Sequence, residues 1–185
     1  MSVLTPPVSH GDHGAGSEDA PVTLVEFGDY ECPHCAEAHP VVQEIQRILG
    51  PNLRFVFRNF PLRNAHTHAE HAAEAAEAAA AQNEFWGMHD QLFENQDALE
   101  DSDLLRYAAA LHLDVERVAT ELAAGLYADR VRRDFRSGVK SGVNGTPSFF
   151  INGVRHDAPW DLPTLLAAVE AAAVARSGTA VGLIR

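Results

Sequence analysis

Cysteine is scarce in this chain, with only two in 185 residues, Cys32 and Cys35, held in one Cys-Pro-His-Cys cluster. A structural zinc site usually takes four protein ligands, commonly two such pairs, and no second pair exists. A stabilising crosslink explains little, because closing so short a loop removes little unfolded-state entropy. Basic residues are also few: 14 Lys and Arg stand against 26 Asp and Glu, a net charge of -12. That balance repels nucleic-acid phosphates and anionic lipid, so no nucleic-acid partner is expected. Long apolar runs are missing as well. The alanine-rich stretch 69–81 is broken by Glu70, His71, Glu74 and Glu77, short of the roughly 18 uninterrupted apolar residues a membrane helix needs, and no membrane insertion is expected. Neither a glycine-rich phosphate loop nor a Gly-x-Ser-x-Gly elbow occurs, and no internal repeat is apparent.

What is present fits one globular domain, or one core carrying an inserted subdomain, with 46% hydrophobic and 22% charged residues. Residues 1–20 contain no Lys or Arg and no apolar run of signal-peptide length, which predicts a loosely ordered leader and a cytoplasmic protein. Should the natural chain begin further upstream, an exported oxidase becomes the expectation. His10 and His13 in this stretch read as solvated residues rather than metal ligands.

With zinc and crosslinking set aside, the cysteine pair reads as a reversible dithiol. Its surroundings support that reading. Val22 to Phe27 is dense in β-branched and apolar residues, as a strand buried on both faces should be, and Gly28-Asp29 ends it. Ala36 to Leu49 has apolar residues at helical spacing and stops at Gly50-Pro51, and a second strand follows at Leu53 to Asn59. Cys32 therefore falls at the start of a helix, where unbonded N–H groups and the positive end of the helix dipole favour a thiolate. Pro33 suits the first helical turn. His34 can donate a hydrogen bond or place positive charge beside the Cys32 sulfur, and either lowers the thiol pKa. A stabilised thiolate stabilises the reduced form, which makes the disulfide an oxidant. Cys35, one turn on and more buried, is the resolving thiol.

Glu26, within the predicted central strand, is expected to be buried with a raised pKa and to exchange a proton with Cys35. The alternative is a carboxylate at the sheet edge paired with a base such as Arg58. Asn64 to Gly142 reads as helical almost throughout. Phe85, Met88, His89, Leu92 and Phe93 form one apolar face, and Leu104, Leu105, Tyr107, Ala108 and Leu111 form another. Ser102 and Asp114 are candidate N-caps, Val131, Phe135 and Val139 recur along a later helix, and a final helix is expected over Leu162 to Arg176. His66, His68 and His71 read as solvated or core-lining rather than as a metal site, and Phe85, Trp86 and Trp160 as packing residues.

Glu26-Phe27, Cys32-Pro33-His34-Cys35 and, far downstream, Gly145-Thr146-Pro147-Ser148-Phe149-Phe150-Ile151-Asn152-Gly153 together resemble the DsbA family of thioredoxin-fold disulfide oxidoreductases, from about Pro21 to Ala175. The resemblance implies an α/β, thioredoxin-like fold with an inserted all-helical subdomain. The core would comprise 21–63 and 143–177 and the insertion 64–142, with a leader at 1–20 and a tail at 178–185. It further implies a cis Thr146–Pro147 bond in a loop that faces the dithiol, with the Thr146 backbone free to pair with an extended substrate. The expected substrates are cysteine-containing proteins or peptides. The expected electron partner is a thiol reductant or a membrane oxidase, with no cofactor, no metal and a monomeric protein. Two other readings are a glutathione-dependent transferase or isomerase on the related kappa-type fold, which generally lacks the second cysteine, and a non-catalytic binding module.

Overall fold

The chain joins its sheet earlier than the sequence predicts. The computed structural model describes residues 2–181 and places a first short strand, β1 (His13–Ala15), inside the expected leader. Leu4 and Ala20 are buried, and Asp12 forms an ion pair with Arg58, Nε to Oδ1 at 2.7 Å and Nη2 to Oδ2 at 3.1 Å. The same guanidinium donates to the carbonyls of Pro6 and Pro7 at 3.0 and 3.2 Å. A buried Arg requires such acceptors, and the first twelve residues supply them, which is why this segment is built in rather than loose. Arg58 thus pairs with Asp12, not with Glu26.

The predicted strands appear as β2 (Val22–Gly28) and β3 (Leu53–Asn59), each almost wholly buried. Between them runs α1 (Pro33–Leu49), which begins three residues before the apolar spacing at Ala36 suggests because Pro33 takes its first position. Gly50, at φ +50, ends it. The sheet is completed by β4 (Ser148–Ile151) and β5 (Val154–His156), in the order β1-β3-β2-β4-β5. β1 runs antiparallel to β3, β4 to β2 and β5 to β4. Asn152-Gly153 joins β4 to β5 with both residues at positive φ, the two-residue turn whose twist suits a hairpin.

The helical stretch resolves into α2 (Ala69–Ala80), α3 (Phe85–Glu94), α4 (Asp101–Ala110), α5 (Val115–Ala123) and α6 (Ala128–Lys140), and α7 (Leu162–Val181) closes the described chain. Asp114 caps α5, accepting from the Arg117 N–H at 3.0 Å. Ser102 does not cap α4. Glu100 holds that position, its N–H donating to Asp103 at 3.2 Å, so the helix starts before Ser102. Val139 is exposed at 55% while Val131 is fully buried, because a spacing of exactly four residues drifts around a helix of 3.6 residues per turn. The last helix continues past Arg176 to Val181, so the expected tail is helical to that point; positions 182–185 lie outside the described residues. No helix among the described residues is long and apolar enough to cross a membrane.

Two compact units emerge. The first holds the sheet and runs to residue 27, from 37 to 58, and from 137 onward. Its core includes Phe27 against Phe150, edge to face with ring centroids 5.6 Å apart, and Leu165 and Val169 of α7. The second comprises 28–36 and 59–136, so the cysteine cluster groups with the helices. Its core is the buried alanine face of α2 with Met88, Leu92, Leu104 and Val118. Burying one such aliphatic side chain stabilises by roughly 1.5–3 kcal/mol, and small alanines let the helices approach closely enough to do so.

Candidate active site

The cysteine cluster sits where β2 gives way to α1. Cys32 is the residue just before the helix, and its carbonyl already accepts the first helical bonds, from the N–H groups of Cys35 at 3.0 Å and Ala36 at 3.2 Å. The same carbonyl accepts from Gln96 Nε2 at 3.0 Å, and the Tyr30 carbonyl accepts from that amide at 2.7 Å. Both cysteines are in the dithiol form, Cys32 at 4% exposure and Cys35 at zero. Pro33 and His34, between them, are exposed.

Asp29, which the sequence marks only as the end of a strand, organises this corner. Its N–H points to Cys35 Sγ at 3.5 Å, and its carbonyl accepts the Cys32 N–H at 3.1 Å. Its side chain has no exposed surface and accepts from the Glu31 N–H at 2.8 Å, the Leu62 N–H at 2.7 Å and His66 Nδ1 at 2.8 Å. Glu31 extends the same grip, accepting the His68 N–H at 2.6 Å. Tyr30, 1% exposed, anchors the segment on α3 through its hydroxyl, 3.1 Å from His89 Nδ1, and its ring lies 4.8 Å from that of Phe93.

His66 is held in an environment that favours its charge. Burial works against the imidazolium, but the hydrogen bond and negative charge of Asp29, joined by the charges of Cys32 and Glu31, outweigh it and raise its pKa. The three histidines do not form a common site: His66 bonds Asp29, His68 bonds Glu31 through its backbone, and His71 Nδ1 lies 2.7 Å from Asp101. The sequence marks Asp29 only as the end of a strand and His66 only as a solvated or core-lining residue, and nothing local marks Gln96.

The remaining predicted site residues lie in the first unit. Glu26 is buried at 2% exposure in β2, opposite Phe149 of β4. Thr146 and Pro147 are half-buried immediately before β4, their peptide bond is cis, and the Ser148 hydroxyl donates back across it to the Gly145 carbonyl at 2.7 Å.

The family model described as "Thioredoxin" matches residues 9–171. Among solved structures, the chain is similar to BdbD from Bacillus subtilis (27% identity, TM-score 0.83, covering 93% of this chain and 98% of that one). It is also similar to a thioredoxin-like oxidoreductase from Silicibacter pomeroyi (29%, TM-score 0.78, covering 89% and 93%). Wolbachia pipientis alpha-DsbA1 shares the fold at 21% identity and a TM-score of 0.80, covering 95% of this chain and 97% of that one. Curated relatives include the Na(+)/H(+) antiporters NhaA 3 of Salinispora tropica, 45% identical over 93% of this chain, and NhaA 1 of Mycobacterium sp., 43% identical over 92%. The chain spans only about a quarter of their length, 26% and 28%. By its motif, its fold and these matches, the chain belongs to the thioredoxin family, with the fold it shares with alpha-DsbA1.

Proposed function

We propose that this chain exchanges a Cys32–Cys35 disulfide or dithiol with the cysteines of protein or peptide substrates through a mixed disulfide at Cys32. The observation that carries this is the placement of Cys32 at the cap of a 17-residue helix, with Cys35 fully buried one turn inside it. The helix start supplies N–H groups and partial positive charge that favour the Cys32 thiolate over the thiol.

In the reducing direction the Cys32 thiolate attacks one sulfur of a substrate disulfide, whose S–S bond breaks as the mixed disulfide forms. The departing substrate sulfur takes a proton. Cys35 then loses its proton and attacks the Cys32 sulfur, which releases the second substrate thiol and leaves the Cys32–Cys35 disulfide. Two electrons have passed from the dithiol to the substrate, and the reverse sequence oxidises a substrate dithiol. Because stabilising the thiolate stabilises the reduced form, net oxidation of substrates is the favoured direction. A thiol reductant or a membrane oxidase would reset the pair. For the proton that Cys35 gains and loses we propose Glu26, and for substrate alignment the backbone of Thr146, pairing with an extended peptide as an added strand.

Ion transport is not carried over from the curated relatives, whose names describe proteins about four times as long. Trapping tests the redox reading directly. Cys35→Ser should accumulate a covalent adduct with a disulfide-bearing peptide, seen by mass spectrometry and lost on reduction. Cys32→Ser should form none and should not catalyse insulin reduction by a dithiol. Full turnover in Cys35→Ser would instead favour the glutathione-dependent class.

A further inference from the structure

We propose that His66, held by the buried Asp29 carboxylate, is a positioning residue that sets the ionisation of Cys32; this rests on the reading that Cys32 is the attacking thiol. The case begins with charge. The segment leading into the dithiol carries two carboxylates, Asp29 and Glu31, both tied by hydrogen bonds and thereby kept in place. Left alone they would repel a thiolate at Cys32 and oppose the helix start. His66 is bonded to the first of them, its Nδ1 engaged by Asp29 at 2.8 Å, and its protonated ring would offset their charge. With that nitrogen committed, the protonated ring keeps its Nε2–H and its positive charge for its surroundings.

The loop is built to hold the ring there. The Leu62 carbonyl accepts the N–H groups of both Ala65 and His66, at 2.8 and 2.9 Å, and the Leu62 N–H bonds the same Asp29 oxygen that takes His66. Ring and loop are thus fixed to one atom of the segment that carries Cys32. The charged groups that act on His66 include Asp29, Cys32 and Glu31, and the Cys32 charge contributes to raising the imidazole pKa. Coupling of this kind is reciprocal, so the imidazolium must favour the thiolate by as much as the thiolate favours the imidazolium.

Two measurements on the full chain test this. The first follows Cys32 alkylation by iodoacetamide against pH. His66→Gln should move its midpoint up by about one unit, a tenfold loss of thiolate well below that midpoint, as expected for removal of one nearby opposite charge. His68→Gln, which leaves the backbone bond to Glu31 in place, should not. The second titrates the His66 ring of the unaltered protein by NMR in both redox states. Its midpoint should be higher in the dithiol than in the disulfide, a difference that a purely structural histidine would not show. Equal His66 midpoints in the two states, or an unmoved Cys32 profile in folded His66→Gln, overturn the inference; if that variant does not fold, the NMR comparison decides. Insulin reduction separates the two levels. A wild type that exchanges disulfides while His66 shows no coupling refutes only the role of His66, whereas a wild type without exchange refutes the underlying reading.

Discussion

Arg58 is 2% exposed and strand-bound, and Asp12 meets its charge: both Asp12 oxygens bond its guanidinium. Burial pushes the Asp12 carboxyl up, but the hydrogen bonds and charge of Arg58, with the N–H and hydroxyl of Ser9, outweigh it and hold its pKa below the ordinary value. A carboxyl whose folded pKa is depressed contributes stability that is whole above its unfolded pKa, roughly 4, and is lost as the pH falls through the lower folded value. Asp12→Ala should therefore cost about 3 kcal/mol at pH 7, because it strands a buried cation. Urea unfolding across pH 2 to 7 checks both parts, since the variant should also lose the part of the acid-induced destabilisation that Asp12 carries. Neither Asp12 nor Arg58 announces this pairing in sequence. They lie 46 residues apart, and the sequence offers Arg58 only as a partner for Glu26.

At the scale of elements, the readable ones were those whose signal is local. β2, β3 and α1 follow from apolar spacing and from Gly50-Pro51, and the Asp114 cap follows from a residue type that completes a helix start by itself. β1 is not legible in the sequence because His13-Gly14-Ala15 has no strand signal of its own; pairing with β3 makes it a strand. Gly16 makes that pairing possible. It holds φ +89, and a Cβ there would stand 2.3 Å from the Leu53 carbonyl oxygen. Gly16→Ala is expected to cost at least about 2 kcal/mol by forcing the backbone of β3 or β1 to move. Amide exchange should show His13 to Ala15 losing protection first, while the Asn152-Gly153 hairpin keeps its own.

For the molecule as a whole, the redox state should set stability. A bridge between Cys32 and Cys35 closes too short a loop to restrict the unfolded chain much, whereas a thiolate at the helix start and beside His66 is favoured only in the folded dithiol. The dithiol form should therefore melt about 3 °C or more above the disulfide form at pH 7, given the usual change of melting temperature with stability for a chain of this size. The gap should close as the pH falls below the Cys32 pKa. Calorimetry of the two forms tests it, and a disulfide form that melts higher would contradict a stabilised thiolate.

The sequence by itself determined the chemistry available to this protein: two thiols in one cluster, a strand before them, a helix after them, and a downstream Thr-Pro ahead of a strand. These are readable because each depends on neighbours within a few residues. The tertiary structure alone decided which groups surround those thiols. Asp29, His66 and Gln96 come together from positions up to 67 residues apart, and Asp12 finds Arg58, because a buried charge or carbonyl must be met by whatever partner the folded backbone brings within about 3 Å. Periodicity and composition carry no record of such distances.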